Sequence, residues 1–220
     1  MDAPPKISGP GRPPASGGPA RQLVVFLHGW GSDGNDLIAL AADWARRLPN
    51  ARFVAPHAPD PCEQNPAGRQ WFGLTDRDPR ALGQGAARAA GIIDRFLDDE
   101  LARLGLSDER LALVGFSQGT MMALYVALRR ARACAAVVGY SGALVGGETL
   151  ANELRSRPPV FLAHGDADER IPFDSLTAAV AELGRLDVPV RWHVARGVGH
   201  GIDAESLALG GDFRADALGG

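Results

Sequence analysis

Leu111-Ala112-Leu113-Val114-Gly115-Phe116-Ser117-Gln118-Gly119 decides how this chain is read. Four apolar residues run straight into a G-x-S-x-G pentapeptide, and an apolar-faced stretch from Thr120 to Arg130 follows at once. The pattern predicts strand, sharp turn and helix, with a serine at the apex. A residue at such an apex takes a cramped backbone conformation, and flanking glycines have no Cβ to strike the neighbouring strand and helix. Because a helix begins immediately afterwards, N–H groups at its start are free to face a developing oxyanion. The spacing therefore predicts a nucleophile elbow carrying Ser117.

A serine hydroxyl is a poor nucleophile near neutral pH, so it needs a histidine to take its proton and an acid to orient that histidine. On a strand-turn-helix elbow the chain order is Ser, Asp or Glu, then His. His28, His57 and His164 come too early for that order, which leaves His193 and His200. In Val190-Arg191-Trp192-His193-Val194 the alternation puts His193 on the outward face of a half-buried strand. His200 lies in the glycine-rich Gly197-Val198-Gly199-His200-Gly201, where a side chain can swing over the sheet edge, and is the expected base.

The acid is sought after the apolar run Pro159-Val160-Phe161-Leu162-Ala163, a buried parallel strand by composition. Asp166, Asp168 and Glu169 compete there. Asp166 follows Gly165 so closely that a turn-holding role suits it. Glu169 beside Arg170 reads as a surface ion pair, and Asp168 is the expected orienting acid. The strand Gln22 to Leu27 ends in His28-Gly29-Trp30-Gly31, and its glycines let backbone amides turn towards the pocket. The N–H groups of Trp30 and Gln118 are the expected oxyanion donors, with Asn35 or Asp36 capping the helix that follows.

His28-Gly29-Trp30-Gly31, Arg69-Gln70-Trp71-Phe72, Gly115 to Gly119, His164-Gly165-Asp166-Ala167-Asp168 and Gly197 to His200 occur in one order along the chain. In this the sequence resembles the phospholipase/carboxylesterase family of α/β-hydrolases, which includes acyl-protein thioesterases, from about Leu23 to about Leu207. The resemblance implies the same triad of Ser117, Asp168 and His200 and the same two oxyanion amides. It also implies that Trp71 and Phe72 lie near an acyl pocket and contact substrate. Against that role, aromatic side chains often serve to pack a loop onto the core.

The rest of the chain predicts an α/β fold with a mostly parallel central sheet and helices on both faces. Expected helices are 36–48, 86–104 with Gly105 as cap, 120–130 and 173–186. Expected strands are 22–27, 52–55, 111–114, 135–140, 159–163 and 190–194. Residues 1–21, rich in Pro, Gly and Ser without an apolar core, read as a disordered arm, and 22–220 as one domain.

With 220 residues, 45% of them hydrophobic and a net charge of −3, the chain can bury a single sizeable core and shows no nucleic-acid footprint. No segment approaches a membrane span. Two distant cysteines, Cys62 and Cys134, fit a reducing compartment, so cytoplasmic residence is expected. Neither zinc-type nor C-x-x-C spacing is present, so no metal or cofactor is expected.

The polar segment 60–80 predicts a short or medium acyl group, and exposed aromatics near Trp71 could support a homodimer. Longer-chain lysophospholipase or acyl-protein thioesterase activity would use the same residues, and a silent binding module would keep the fold without the chemistry.

Overall fold

Apolar runs become strands of one sheet, because a parallel strand covered on both faces has no side that tolerates polar residues. The computed structural model describes residues 5–218. In chain order it begins with β1 (Gly11–Arg12), β2 (Gln22–Leu27), α1 (Gly34–Leu37), α2 (Ala41–Trp44) and β3 (Ala51–Val54). A small hairpin of β4 (Asp60–Pro61) and β5 (Arg69–Gln70) precedes the long α3 (Pro79–Leu104). Then come β6 (Leu111–Phe116), α4 (Gln118–Arg129), β7 (Ala136–Tyr140), α5 (Gly147–Glu153) and β8 (Val160–Gly165). The last elements are α6 (Asp174–Arg185), β9 (Val190–Ala195) and α7 (Ala204–Leu218).

The main sheet has seven strands in the order β1-β3-β2-β6-β7-β8-β9. Every pairing is parallel except that of β1 with β3. Side chains of β2, β6 and β8 alternate between two apolar layers. One layer, under α3, α4 and α6, contains Leu23, Leu113, Leu162 and Ile93. The other, under α1, α2 and α7, contains Phe26, Val114, Phe161 and Trp44. This is the α/β-hydrolase architecture expected from the sequence.

The differences in detail have local causes. Helix α3 starts seven residues before the expected Ala86, because Asp78 caps it through the N–H groups of Arg80 and Ala81 and Pro79 occupies its first turn. Gly105 ends it in the left-handed region, as expected. The expected helix 36–48 is instead α1, a 3-10 turn over Ile38–Leu40, and α2. Its cap is Asp33, which accepts from the Asn35 N–H at 2.8 Å, rather than Asn35 or Asp36. On β9 the expected exposure fails at two positions: Trp192 is 55% exposed, because β9 is an edge strand that the helices cover incompletely, and His193, expected to face outward, is half-buried.

The expected disordered arm over 1–21 is not what the described part of it does; residues 1–4 lie outside the described residues, as do 219 and 220 of the expected domain. β1 pairs antiparallel with β3, placing Gly11 opposite Val54. Further hydrogen bonds run from the His57 N–H to Ser8 O, the Ala55 N–H to Pro10 O and the Ser16 N–H to Pro49 O. Composition measures side-chain burial, whereas this segment is held mainly by backbone groups at the open edge of β3, with Gly9 allowing the close approach to the Ala55 carbonyl and Ile7 packing against the core.

Three further features bear on stability. Arg130 pairs with Asp94, Asp98 and Asp108, joining α4 to α3 and to the turn before β6. Arg214 on α7 is fully buried 3.9 Å from the centre of the Trp44 ring, and none of its guanidinium nitrogens has a hydrogen-bond partner among the described residues. Burial pulls its pKa down to about 9. Both cysteines are free and buried, and burial pushes the Cys134 thiol up to about 12. Among the described residues no helix is long and apolar enough to cross a membrane.

Candidate active site

β6 delivers Ser117 at the carboxyl edge of the sheet, in the position that caps α4. Its φ of 54° and ψ of −116° lie where a residue with a side chain is strained. Several contacts hold it there. The Ser117 N–H donates to Tyr140 O at 2.9 Å, and Thr120 Oγ1 both donates to Tyr140 O and accepts from the Tyr140 N–H, locking α4 onto β7. A Cβ on Gly119 would collide with the Leu27 carbonyl of β2, and one on Gly115 with the Thr120 N–H. The two glycines therefore allow the elbow to press against its neighbours.

Strand order explains how the other groups arrive. β2 and β6 are adjacent, with Leu27 opposite Gly115, so the loop after β2 runs beside the elbow. There His28 donates from Nδ1 to Gly29 O and accepts at Nε2 from the Ala58 N–H, and burial keeps its pKa low, so the ring is neutral. The Trp30 indole donates to Gln70 Oε1, and β5 grips the loop through the Gly31 N–H to Arg69 O and the Arg69 N–H to Ser32 O. Among the described residues no acceptor takes the backbone N–H of Trp30 or of Gln118. These are the two amides expected at an oxyanion.

β9 lies three strands from β6, about 14 Å at ordinary strand spacing. The loop over 196–203 therefore has to run back across the ends of β8 and β7. It is pinned by the Ala167 N–H to Val198 O, by the Gly197 N–H to Asp166 Oδ1 at 2.6 Å and by Ser141 Oγ to Gly201 O at 3.0 Å. The result places the His200 ring 5.0 Å from that of Phe116, the residue before Ser117.

His200 Nδ1 lies 2.8 Å from Asp168 Oδ2. The other oxygen of Asp168 accepts from the N–H groups of Arg170 at 2.9 Å and Ile171 at 3.0 Å. Burial works to raise the Asp168 carboxyl, but these hydrogen bonds and that from His200 outweigh it and hold the group below the usual carboxylate range. The pair thus carries an ionised acid on one ring nitrogen, leaving Nε2 as the nitrogen able to take a proton. Asp166 does not reach the ring; it braces the loop from the other side.

Trp71 and Phe72, expected to contact substrate, are 2% and 4% exposed and belong to the core layer under α3. The Trp71 indole donates to His28 O, and the Gln118 side chain accepts from the Trp71 N–H and donates to Phe72 O. Their burial leaves almost no surface for a substrate, so they act as packing that fixes the elbow to the loop after β2. It also removes the exposed aromatics expected near Trp71.

The Gln118 clamp and the Ser141 bond were not legible beforehand, since both join residues far apart in sequence. One set of described residues could approach a cation. His193, Asp203 and Glu205 each offer an atom within 4.8 Å of the others, but the Asp203 carboxylate already accepts from the Ser206 N–H at the start of α7.

Comparison with known proteins shows the family. A solved structure of esterase PE8 is 43% identical, covers 97% of this chain and all of that chain, and superposes with a TM-score of 0.93. Acyl-protein thioesterase 1 of Neurospora crassa is 27% identical over 211 residues, 89% of this chain and 86% of that protein. Esterase YpfH of Escherichia coli is 27% identical over 195 residues, 86% of this chain and 80% of that protein. The family model described as Phospholipase/Carboxylesterase matches residues 14–213. With nearly the whole chain inside that match, and with an elbow serine beside an Asp-held histidine, the protein is a member of the phospholipase/carboxylesterase family of α/β-hydrolases.

Proposed function

We propose that the chain hydrolyses carboxylic esters of short to medium acyl chains, with Ser117 as nucleophile, His200 as general base and Asp168 as the acid that orients it. The observation that carries the reading is the 2.8 Å bond from His200 Nδ1 to Asp168, made beside a serine held at a strained elbow. As Ser117 Oγ attacks the carbonyl carbon, its proton passes to His200 Nε2, and the oxyanion is met by the N–H groups of Trp30 and Gln118. The alcohol leaves with the proton from His200. Water then attacks the acyl-enzyme, with the same ring as base, and releases the acid.

The preference for shorter acyl groups is supported by the hairpin β4–β5 and its flanks. They are occupied in bracing the loop after β2, and Trp71 and Phe72 are committed to the core. Thioesters form a second reading, favoured by the relatives named acyl-protein thioesterases, because a thioester carbonyl would meet the same groups. Cytoplasmic residence belongs to the same proposal and is supported by two unpaired thiols. A second copy of the chain would find exposed aromatic surface at Trp192.

The test is hydrolysis of p-nitrophenyl esters from acetate to palmitate by wild type and Ser117→Ala. The expected result is a maximum at short chains and a loss of at least about a thousandfold in the variant. Activity retained by Ser117→Ala would overturn the nucleophile, and a maximum at palmitate would move the substrate class to long acyl chains.

A further inference from the structure

His164 is excluded from the base role by its place in the chain, yet it is buried at the end of β8 with its ring against the site. Its Nε2 lies 3.0 Å from Ile171 O. A carbonyl only accepts, so Nε2 carries the hydrogen. The same nitrogen lies 3.3 Å from Asp168 Oδ2, the oxygen that holds His200, and the two side chains are 1% and 0% exposed. Ile171 closes the arrangement: its carbonyl takes the His164 hydrogen while its N–H donates to Asp168 Oδ1. Phe173 meets the His164 ring edge-on at 6.4 Å.

From this geometry we propose that His164 is a positioning residue for hydrolysis, its one ring N–H shared between Ile171 O at 3.0 Å and, at 3.3 Å, the Asp168 oxygen from which His200 is oriented. The proposal rests on the triad reading given above. The carboxylate that orients His200 must itself be fixed. Two backbone N–H groups hold Oδ1, but without His164 the only donor on Oδ2 among the described residues is His200, the group that Oδ2 must itself orient. An imidazole N–H supplies an anchor independent of His200. An imidazole N–H also suits the chemistry better than a lysine or arginine would. A fixed cation there would compete for the carboxylate and weaken its hold on the imidazolium formed in the reaction.

The experiment measures kcat and KM on p-nitrophenyl acetate for His164→Leu, His164→Gln, Asp168→Asn and the double variant Asp168→Asn/His164→Leu. Rates are set on active sites counted by titration with a serine-reactive phosphonate. The expected result is a fall in kcat of about 10- to 100-fold for His164→Leu with KM little changed. His164→Gln, whose amide N–H occupies the place of Nε2, should restore most of the loss. In the Asp168→Asn background His164→Leu should cost about twofold or less, because the residue acts through Asp168.

An unchanged kcat in His164→Leu, or an undiminished loss in the Asp168→Asn background, would overturn the proposal. If His164→Leu does not fold, His164→Gln is compared with His164→Asn, whose shorter amide falls short of Oδ2, and equal activity of the two would overturn it. Full activity in Asp168→Asn alone would sink the triad reading first and the proposal with it, a result distinct from either of the others.

Discussion

Asp166 and Asp168 stand two residues apart in the same loop and do different things. Asp166 accepts from the Gly197 N–H, which an asparagine oxygen could also do, whereas Asp168 presents an anion to the His200 ring. Asp168→Asn should therefore lower kcat by about 10³- to 10⁴-fold, since an amide N–H facing Nδ1 stabilises the wrong tautomer. Asp166→Asn should cost about tenfold at most, and the reverse ranking in steady-state kinetics would move the acid to Asp166.

The same variant carries a pH signature. The Asp168 carboxyl is held below its ordinary value of 3.8 in the folded protein, so it binds fewer protons than in the unfolded chain. The stability it contributes is complete above 3.8 and is lost as pH falls through the folded value. The stability advantage of wild type over Asp168→Asn in urea titrations should thus be constant at neutral pH and shrink below 3.8. At this scale the sequence was most informative: chain order and glycine flanks led to Ser117, Asp168 and His200, which the structure brings to one sheet edge. The aromatic pair was misread, because Trp71 and Phe72 have the same spelling whether they face a substrate or a core.

Among the elements, α7 sets two opposed terms against each other. Arg214 has given up its hydration without gaining a hydrogen bond, a cost of several kcal/mol, against about 2 kcal/mol for stacking on Trp44. Arg214→Leu should therefore raise the thermal midpoint, by on the order of 1 kcal/mol or more of stability, and calorimetry showing a lower midpoint would mean that the stacking term wins. Arg130 shows the contrast, since its three carboxylates on neighbouring elements return what burial takes. Element boundaries were legible to within about two residues where a proline stands before the run, as Pro159 does before β8 and Pro172 before α6. They failed for α3, whose amino end depends on a single aspartate and proline, and for the segmented helices before β3.

At the scale of the whole molecule, the sheet was predictable and its first strand was not. Alternating apolar runs require a covered parallel sheet, but nothing in a Pro- and Gly-rich segment says that it will find the free edge of β3. A chain beginning at Arg21 would lose β1 and uncover that edge. It should show a lower thermal midpoint and concentration-dependent association by light scattering, with kcat per folded molecule retained. An unchanged midpoint would mean that the arm contributes no stability.

The two thiols give the molecule a property unrelated to its chemistry. Cys62 follows β4 on the side of the sheet where Ser117 and His200 lie, and Cys134 precedes β7 at the opposite end. Neither is reachable by a reagent in the closed protein, and Cys134 has almost no thiolate at neutral pH to react with. A thiol that labels has therefore been uncovered by a fluctuation, and which of the two labels first tells at which end of the sheet the molecule opens.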